Sequence, residues 1–129
     1  MLNAVKWAAV AAIAATPALA QDFVTTGDWS APFPQQGGKA VYDAVCAGCH
    51  MPEGEGAIGA GTYPALAGNE MLEGPDYPIF MVLHGQRAMP AIGWMLDDQQ
   101  VADVVNYIRH ELGNAFEGET TAADVADAR

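Results

Sequence analysis

Only two residues separate the two cysteines of this chain, and a histidine follows at once: Cys46-Ala47-Gly48-Cys49-His50. A disulfide across so short a loop would remove little entropy from the unfolded chain. Cross-linking is therefore a weak reason for the pair to exist, and the spacing asks for a use of both thiols together. A thioredoxin-like redox pair would sit in a βαβ pattern, and none surrounds the motif. Half of a zinc site would need a second ligand pair. His84 and His110 do not supply it, because they are far apart and on different predicted elements.

What remains is C-x-x-C-H, the spacing of c-type haem attachment. Each thiol forms a thioether with one porphyrin vinyl group, and two intervening residues let both reach. The adjacent imidazole is then carried beneath the iron as proximal ligand. Ala47 and Gly48 are small enough for the backbone to lie close to the macrocycle edge. The expected cofactor is one haem c, covalently bound through Cys46 and Cys49 with His50 on the metal.

Covalent haem goes with export, and the N-terminus has the matching pattern. Lys6 gives a positive start, Trp7 to Ala15 is a short apolar run, and Ala18-Leu19-Ala20 is a small-x-small cleavage site behind Pro17. These are the parts of a secretory signal peptide over residues 1–20. The run is far below the ~20 residues of a membrane-spanning helix. No later stretch is apolar enough to span a bilayer, so the mature chain is expected to be periplasmic and free of a membrane span.

The formal net charge is −11, from 5 Lys+Arg against 16 Asp+Glu. Loss of Lys6 with the signal makes the balance more negative still. Such a surface excludes nucleic acid and anionic lipid as partners held by charge. It favours a partner with a basic docking patch.

Past the signal, residues 21–37 read as a lead-in with Trp29, Phe33 and two prolines. A helical pattern starts at Lys39, with Val41 and Val45 on one face, and runs into the motif. Residues 52–69 are rich in glycine and include Pro52 and Pro64, so they read as a long loop. A loop of that length in a compact domain wraps something. Pro75 to Leu83 reads as a short helix stopped at Gly85.

The clearest helix follows. Val101, Val104, Val105, Ile108 and Leu112 keep one face, Asp97 with Gln100 makes a capping box, and Gly113 ends it. Arg109 and His110 fall in its last turn, suited to the C-terminal dipole. The segment 114–129 reads as an acidic, largely mobile tail in which Thr121 and Asp124 cap at most one turn. No strand pair is expected. Three to five short helices and long Gly-rich loops offer too little apolar area for a stable domain, so a bound group is expected to complete the core. The fold class is all-α, with the domain proper at residues 38–113.

The sixth iron position decides the chemistry. Met51 follows the proximal histidine and cannot reach the opposite face. Met71 is a further candidate. Met81 lies in the apolar run Ile79-Phe80-Met81-Val82-Leu83 and reads as core. Met95, between Trp94 and Leu96, reads as packing, and His110 as a capping charge. Met89 lies in a loop stiffened by Pro90 and is favoured, with His84 as main competitor. His/Met ligation raises the reduction potential and fills both axial positions. That points to electron transfer without catalysis at the iron; the alternative is a haem sensor or peroxidase-like enzyme with a displaceable distal ligand.

The chain resembles the class I cytochromes c, particularly the small cytochrome subunits and acceptors of periplasmic dehydrogenases. The resemblance rests on Gly38 to Pro52, Tyr63 to Asn69, Val82 to Gly93 and Leu96 to Gly113. It implies that the first and last helices cross beside the haem through Val41, Val45, Val104, Tyr107 and Ile108. It implies that the Pro64 carbonyl accepts a hydrogen bond from the His50 ring, with Leu66 beside the cofactor. It makes Arg87 a partner for a haem propionate, with Gln86 and Trp94 near the same edge. Electrons are expected from a dehydrogenase and to pass to an oxidase or another cytochrome.

Overall fold

The computed structural model describes residues 33–129. The expected export signal at 1–20 and most of the lead-in at 21–37 lie outside the described residues. Among the described residues, no helix is long and apolar enough to cross a membrane.

The helical run before the motif is interrupted. It comprises α1 (Gly38–Val41), a π-helical turn at Tyr42–Cys46 and α2 (Ala47–His50). Wider π turns inside a helix tend to occur at functional sites, and this one ends on Cys46. The run stops at Met51, whose φ is 68°. Gly38 is required by packing: a Cβ there would strike the Asp103 carbonyl oxygen and sit 2.6 Å from the Tyr107 Cβ. With no side chain in the way, α1 lies directly on α4 (Asp98–His110). The Tyr42 and Tyr107 rings meet with centroids 5.3 Å apart. Val41, Val104 and Ile108 are buried at this crossing, and Val45 is half-buried.

The expected loop at 52–69 contains a small hairpin, which corrects the expectation of no strand pair. Strands β1 (Ala57–Ile58) and β2 (Thr62–Tyr63) pair antiparallel, Ala57 with Tyr63 and Ile58 with Thr62. Two residues per strand are too few for alternation to show in sequence. A 3₁₀ turn, Glu70–Leu72, follows, capped by the Asn69 side chain on the Met71 N–H. Helix α3 (Asp76–His84) buries Pro78, Ile79, Val82 and Leu83.

Helix α4 has the expected capping box, with Asp97 accepting from the Gln100 N–H at 2.8 Å. Gln100 is itself fully buried, and its amide donates to the Phe33 and Gln35 carbonyls at 2.6 and 2.8 Å. That ties the end of the lead-in to the core.

The segment after Gly113 is not a mobile tail. It forms α5 (Ala122–Ala128), opened by a Thr121/Asp124 capping box and packed on α4 and α3 with Val125 fully buried. Arg109, in the last turn of α4 as expected, is 2% exposed and donates to four main-chain carbonyls. An acidic composition hid the packing, because one valine per two turns gives no periodic signal. The all-α expectation otherwise holds, with one core shared by Val41, Tyr42, Leu72, Ile79, Val82, Leu83, Leu96, Val125 and the inner face of α4.

Candidate haem site

The inner faces of these elements enclose one apolar cavity of about 210 Å³. Cys46 and His50 form one wall. Pro64 and Leu66 come from the long loop, Met71 and Leu72 from the 3₁₀ turn, and Tyr77, Pro78, Met81 and Val82 from α3. Met89 comes from the loop after α3, and Val104 and Ile108 from α4.

His50 is buried at the end of α2, and its ring Nδ1 stands 2.9 Å from the Pro64 carbonyl oxygen. With Nδ1–H donating to that oxygen, the tautomer is fixed and Nε2 keeps its lone pair. The loop carrying Pro64 is tied down near the motif. The Gly56 N–H donates to the His50 carbonyl at 3.0 Å, and the Leu66 and Ala67 N–H groups donate to the Gly54 carbonyl. Tyr42 Oη donates to the Met51 carbonyl at 2.7 Å, securing the turn that ends the motif.

As a free thiol Cys46 has its pKa pushed up to about 12, chiefly by burial and then by Cys49. A disulfide-exchange site needs a lowered thiol pKa, so thiol redox chemistry does not suit this pair. Cys49 is exposed at the rim. Among the described residues no group of three or more His, Cys, Asp or Glu is placed to hold a metal ion by itself.

Met89 faces the cavity from a tight turn. Gln86 and Met89 exchange both backbone hydrogen bonds at 3.0 Å, and Arg87 between them has φ 55°. Gly85 makes the turn possible: a Cβ there would lie 2.5 Å from the Met89 oxygen and 2.5 Å from the Ala91 nitrogen. His84, the competing ligand, is exposed, meets the Phe80 ring at a tilt of 53° and does not line the cavity. Arg87, Gln86 and Trp94 are also exposed and outside the lining. Met81, expected in the core, faces the cavity instead, as does Met71.

Sequence reasoning missed Asn69 and Asn114. The Asn69 amide donates to the Ala65 carbonyl at 2.8 Å, and its N–H donates to Asn114 Oδ1 at 3.0 Å. Asn114 in turn donates to the Leu66 and Ile108 carbonyls. The pair fixes Leu66 and the 3₁₀ turn against the cavity. The cap position of Asn69 before Glu70 was the available signal.

The residues present fit a haem. The cavity is apolar, holds one imidazole with an oriented ring, a cysteine sulfur and three thioethers, and has no carboxylate on its walls. Imidazole and thioether are axial donors of cytochrome haem iron.

Comparison with known proteins agrees. The family described as "Cytochrome C oxidase, cbb3-type, subunit III" matches residues 34–108. The gluconate 2-dehydrogenase cytochrome c subunit of Pantoea cypripedii is 41% identical over 109 residues, covering 73% of this chain and 24% of that protein. The cytochrome subunit of alcohol dehydrogenase (quinone) from Gluconacetobacter polyoxogenes is 38% identical over 105 residues, covering 71% and 22%. This chain thus spans about a quarter of the length of these dehydrogenase subunits. Cytochrome c6 of Parathermosynechococcus lividus is 32% identical over 82 residues, covering 63% of this chain and 94% of that protein. The motif at Cys46, Cys49 and His50 holds one covalently bound c-type haem, and the chain belongs to the class I cytochrome c family.

Proposed function

We propose that this chain is an exported, periplasmic one-electron carrier in which His50 and Met89 are the two axial ligands of the haem iron. The observation that carries this reading is that the oriented His50 ring and the Met89 thioether line the same apolar cavity. When bound, the haem supplies one iron that alternates between ferrous and ferric states. Cys46 in the cavity wall and Cys49 at the rim would tether it. Pro64 holds the His50 ring in one orientation, which keeps the ligand the same in both oxidation states. Leu66, Val82, Val104 and Ile108 exclude water, which raises the potential at which a ferric charge is tolerated. With His50 and Met89 both holding the iron, no position would be left for a substrate, and the chain would act as a carrier and not as an enzyme.

The donor is a dehydrogenase and the acceptor an oxidase or a second cytochrome. The formal charge of −11 favours partners that present a basic patch. Residues 1–20 act as the signal that sends the chain to the compartment where haem is attached. Arg87 serves as a propionate partner from its exposed turn.

The deciding experiment compares the holoprotein with Met89→Ala and Met89→His. The parent should show the far-red absorption band of methionine-ligated ferric haem and no response to carbon monoxide. Met89→Ala should lose the band, bind carbon monoxide and fall in potential. If its spectrum and potential match the parent, Met89 is not the ligand. If the parent itself binds carbon monoxide or turns over peroxide, a sensor or peroxidase replaces the carrier reading.

A further inference from the structure

The loop that bears Met89 is long, and little of its support comes from within. Besides the Gln86–Met89 pair, the Ile92 and Gly93 N–H groups donate to the Val82 carbonyl at 3.0 and 2.9 Å. The Met95 N–H donates to the Ile92 carbonyl at 3.1 Å, and Ile92, Met95 and Leu96 pack on the core. Further support comes from the far end of the described chain. Arg129 Nη1 donates to the Gly93 carbonyl at 2.9 Å, Nη2 to the Leu96 carbonyl at 2.8 Å, and Nε to Asp98 at 2.5 Å.

The opposite edge of the cavity is held in the same manner. Arg109 donates from Nε to the Leu72 carbonyl at 3.1 Å and from Nη2 to the Glu73 carbonyl at 2.8 Å. Its other donations go to the Gly118 and Glu117 carbonyls at 2.8 and 2.7 Å. Leu72 is a cavity wall residue.

Between these two anchors the segment is fixed to α4 and α3. Asn106 and Thr120 exchange side-chain and backbone hydrogen bonds at 2.9 and 2.8 Å, and Val125 is buried. Two of the four Lys and Arg side chains among the described residues are committed here, in a chain that has few cations to place. Both donate chiefly to main-chain carbonyls of other segments, which is how a guanidinium serves as a fork-shaped bracket. The segment lies beyond residues 34–108, the part matched to the family.

We propose that residues Glu117–Arg129 form a clasp that keeps the Met89 loop and the Leu72 wall closed over the haem cavity, with Arg129 and Arg109 as its positioning residues. The effect on the iron rests on the reading of Met89 as its ligand. Opening of such a loop is a local unfolding event with its own free energy, smaller than that of the whole domain. Charge-assisted hydrogen bonds at the loop's return leg raise that free energy, so removing them raises the fraction of time the loop is open. The clasp would therefore set how readily small ligands reach the ferric iron.

The test uses the holoprotein, its Arg129→Gln variant and a chain cut after Gly118, which spares the carbonyl acceptors of Arg109. Amide hydrogen exchange is followed at Met89, Ile92 and Gly93 in the loop and at Val104 and Val105 in α4. The rate of imidazole entry at ferric iron is measured alongside. Loop amides should exchange about tenfold faster in both variants, given the net worth of hydrogen bonds to a charged donor, while the α4 amides keep their protection. Imidazole entry should rise by a similar factor. Unchanged loop exchange in both variants overturns the clasp. Equal acceleration at Val104 and Val105 also overturns it, because the segment then serves global stability alone. Faster loop exchange with unchanged imidazole entry supports the clasp and instead counts against Met89 as the displaced ligand.

Discussion

A Cβ placed on Gly56 would lie 2.8 Å from the carbonyl carbon of Pro64. Gly56 also has φ 68°, a left-handed conformation that side chains disfavour. Its N–H donates to the His50 carbonyl, while the Pro64 oxygen faces His50 Nδ1. One glycine thus governs the spacing between the proximal histidine and the carbonyl that orients it. Gly56→Ala is predicted to destabilise the holoprotein by roughly 1–3 kcal/mol, the usual cost of a strained backbone position. Pushing Pro64 away weakens the hydrogen bond that makes the imidazole a stronger donor. Ferric iron then loses stabilisation, so the reduction potential should rise. Denaturant midpoints and a potentiometric titration check the two parts; a lower potential would contradict the second.

Gly85 has the same relation to the opposite side of the cavity. Its φ is 66°, and a Cβ would press on the Met89 carbonyl and the Ala91 nitrogen. Gly85→Ala is predicted to disturb the Gln86–Met89 turn and move the thioether. The expected result is loss or weakening of the far-red ferric band with little change in far-ultraviolet helix signal, because α3 ends before the turn. An unaltered band would show that the turn does not position Met89.

The parts legible in sequence were those with a strong local signal. The C-x-x-C-H spacing identifies the cofactor. The stripe from Val101 to Ile108 with the Asp97/Gln100 capping box gives the start and inner face of α4, although the helix stops at His110 and Leu112, with φ 57°, falls outside it. The apolar run around Met81 reads as core in the sequence because such a run does not tell which face meets the cavity. The sequence places Arg109 in the last turn of α4 but does not show its burial, since its four acceptors lie 8–37 residues away. Carbonyl acceptors belong to every residue type and leave no trace in the sequence. The same holds for α5, whose packing depends on a single buried valine and on Arg129.

Removing the Arg109 side chain should be among the most damaging changes outside the haem motif. Arg109→Met keeps the aliphatic stem and leaves the Leu72, Glu73, Glu117 and Gly118 carbonyls without that donor. A buried unsatisfied carbonyl costs about 1–3 kcal/mol, and water will reach some of the four. A total loss of roughly 3 kcal/mol or more is predicted. Arg109→Lys should recover only part of it, because an ammonium group has no planar fork to span acceptors on two sides. Urea unfolding with an unchanged m-value checks this; a loss below about 1 kcal/mol would mean that the four bonds contribute little net stability.

Tyr42 gives a pH-dependent test of the motif's own support. Burial, followed by the nearby Cys46 and Tyr107, pushes its phenol from the ordinary 10.0 up to about 12. In the haem-bound protein the Cys46 sulfur is a thioether without charge, and burial remains. The folded state therefore holds the Tyr42 proton after the unfolded chain has released it. The unfolded state binds fewer protons in that interval, so stability falls as pH rises. From this group the loss begins near the unfolded value of 10.0 and is complete near 12. Below that window its contribution is constant. Tyr42→Phe removes the titration and the 2.7 Å donation to the Met51 carbonyl. The variant should be less stable by about 1 kcal/mol at neutral pH, the net worth of one hydrogen bond. It should then lose less stability than the parent through the alkaline window, so the two curves converge. Denaturant midpoints measured at a series of pH values across that window give the comparison, and parallel curves would show that Tyr42 does not titrate as its burial requires.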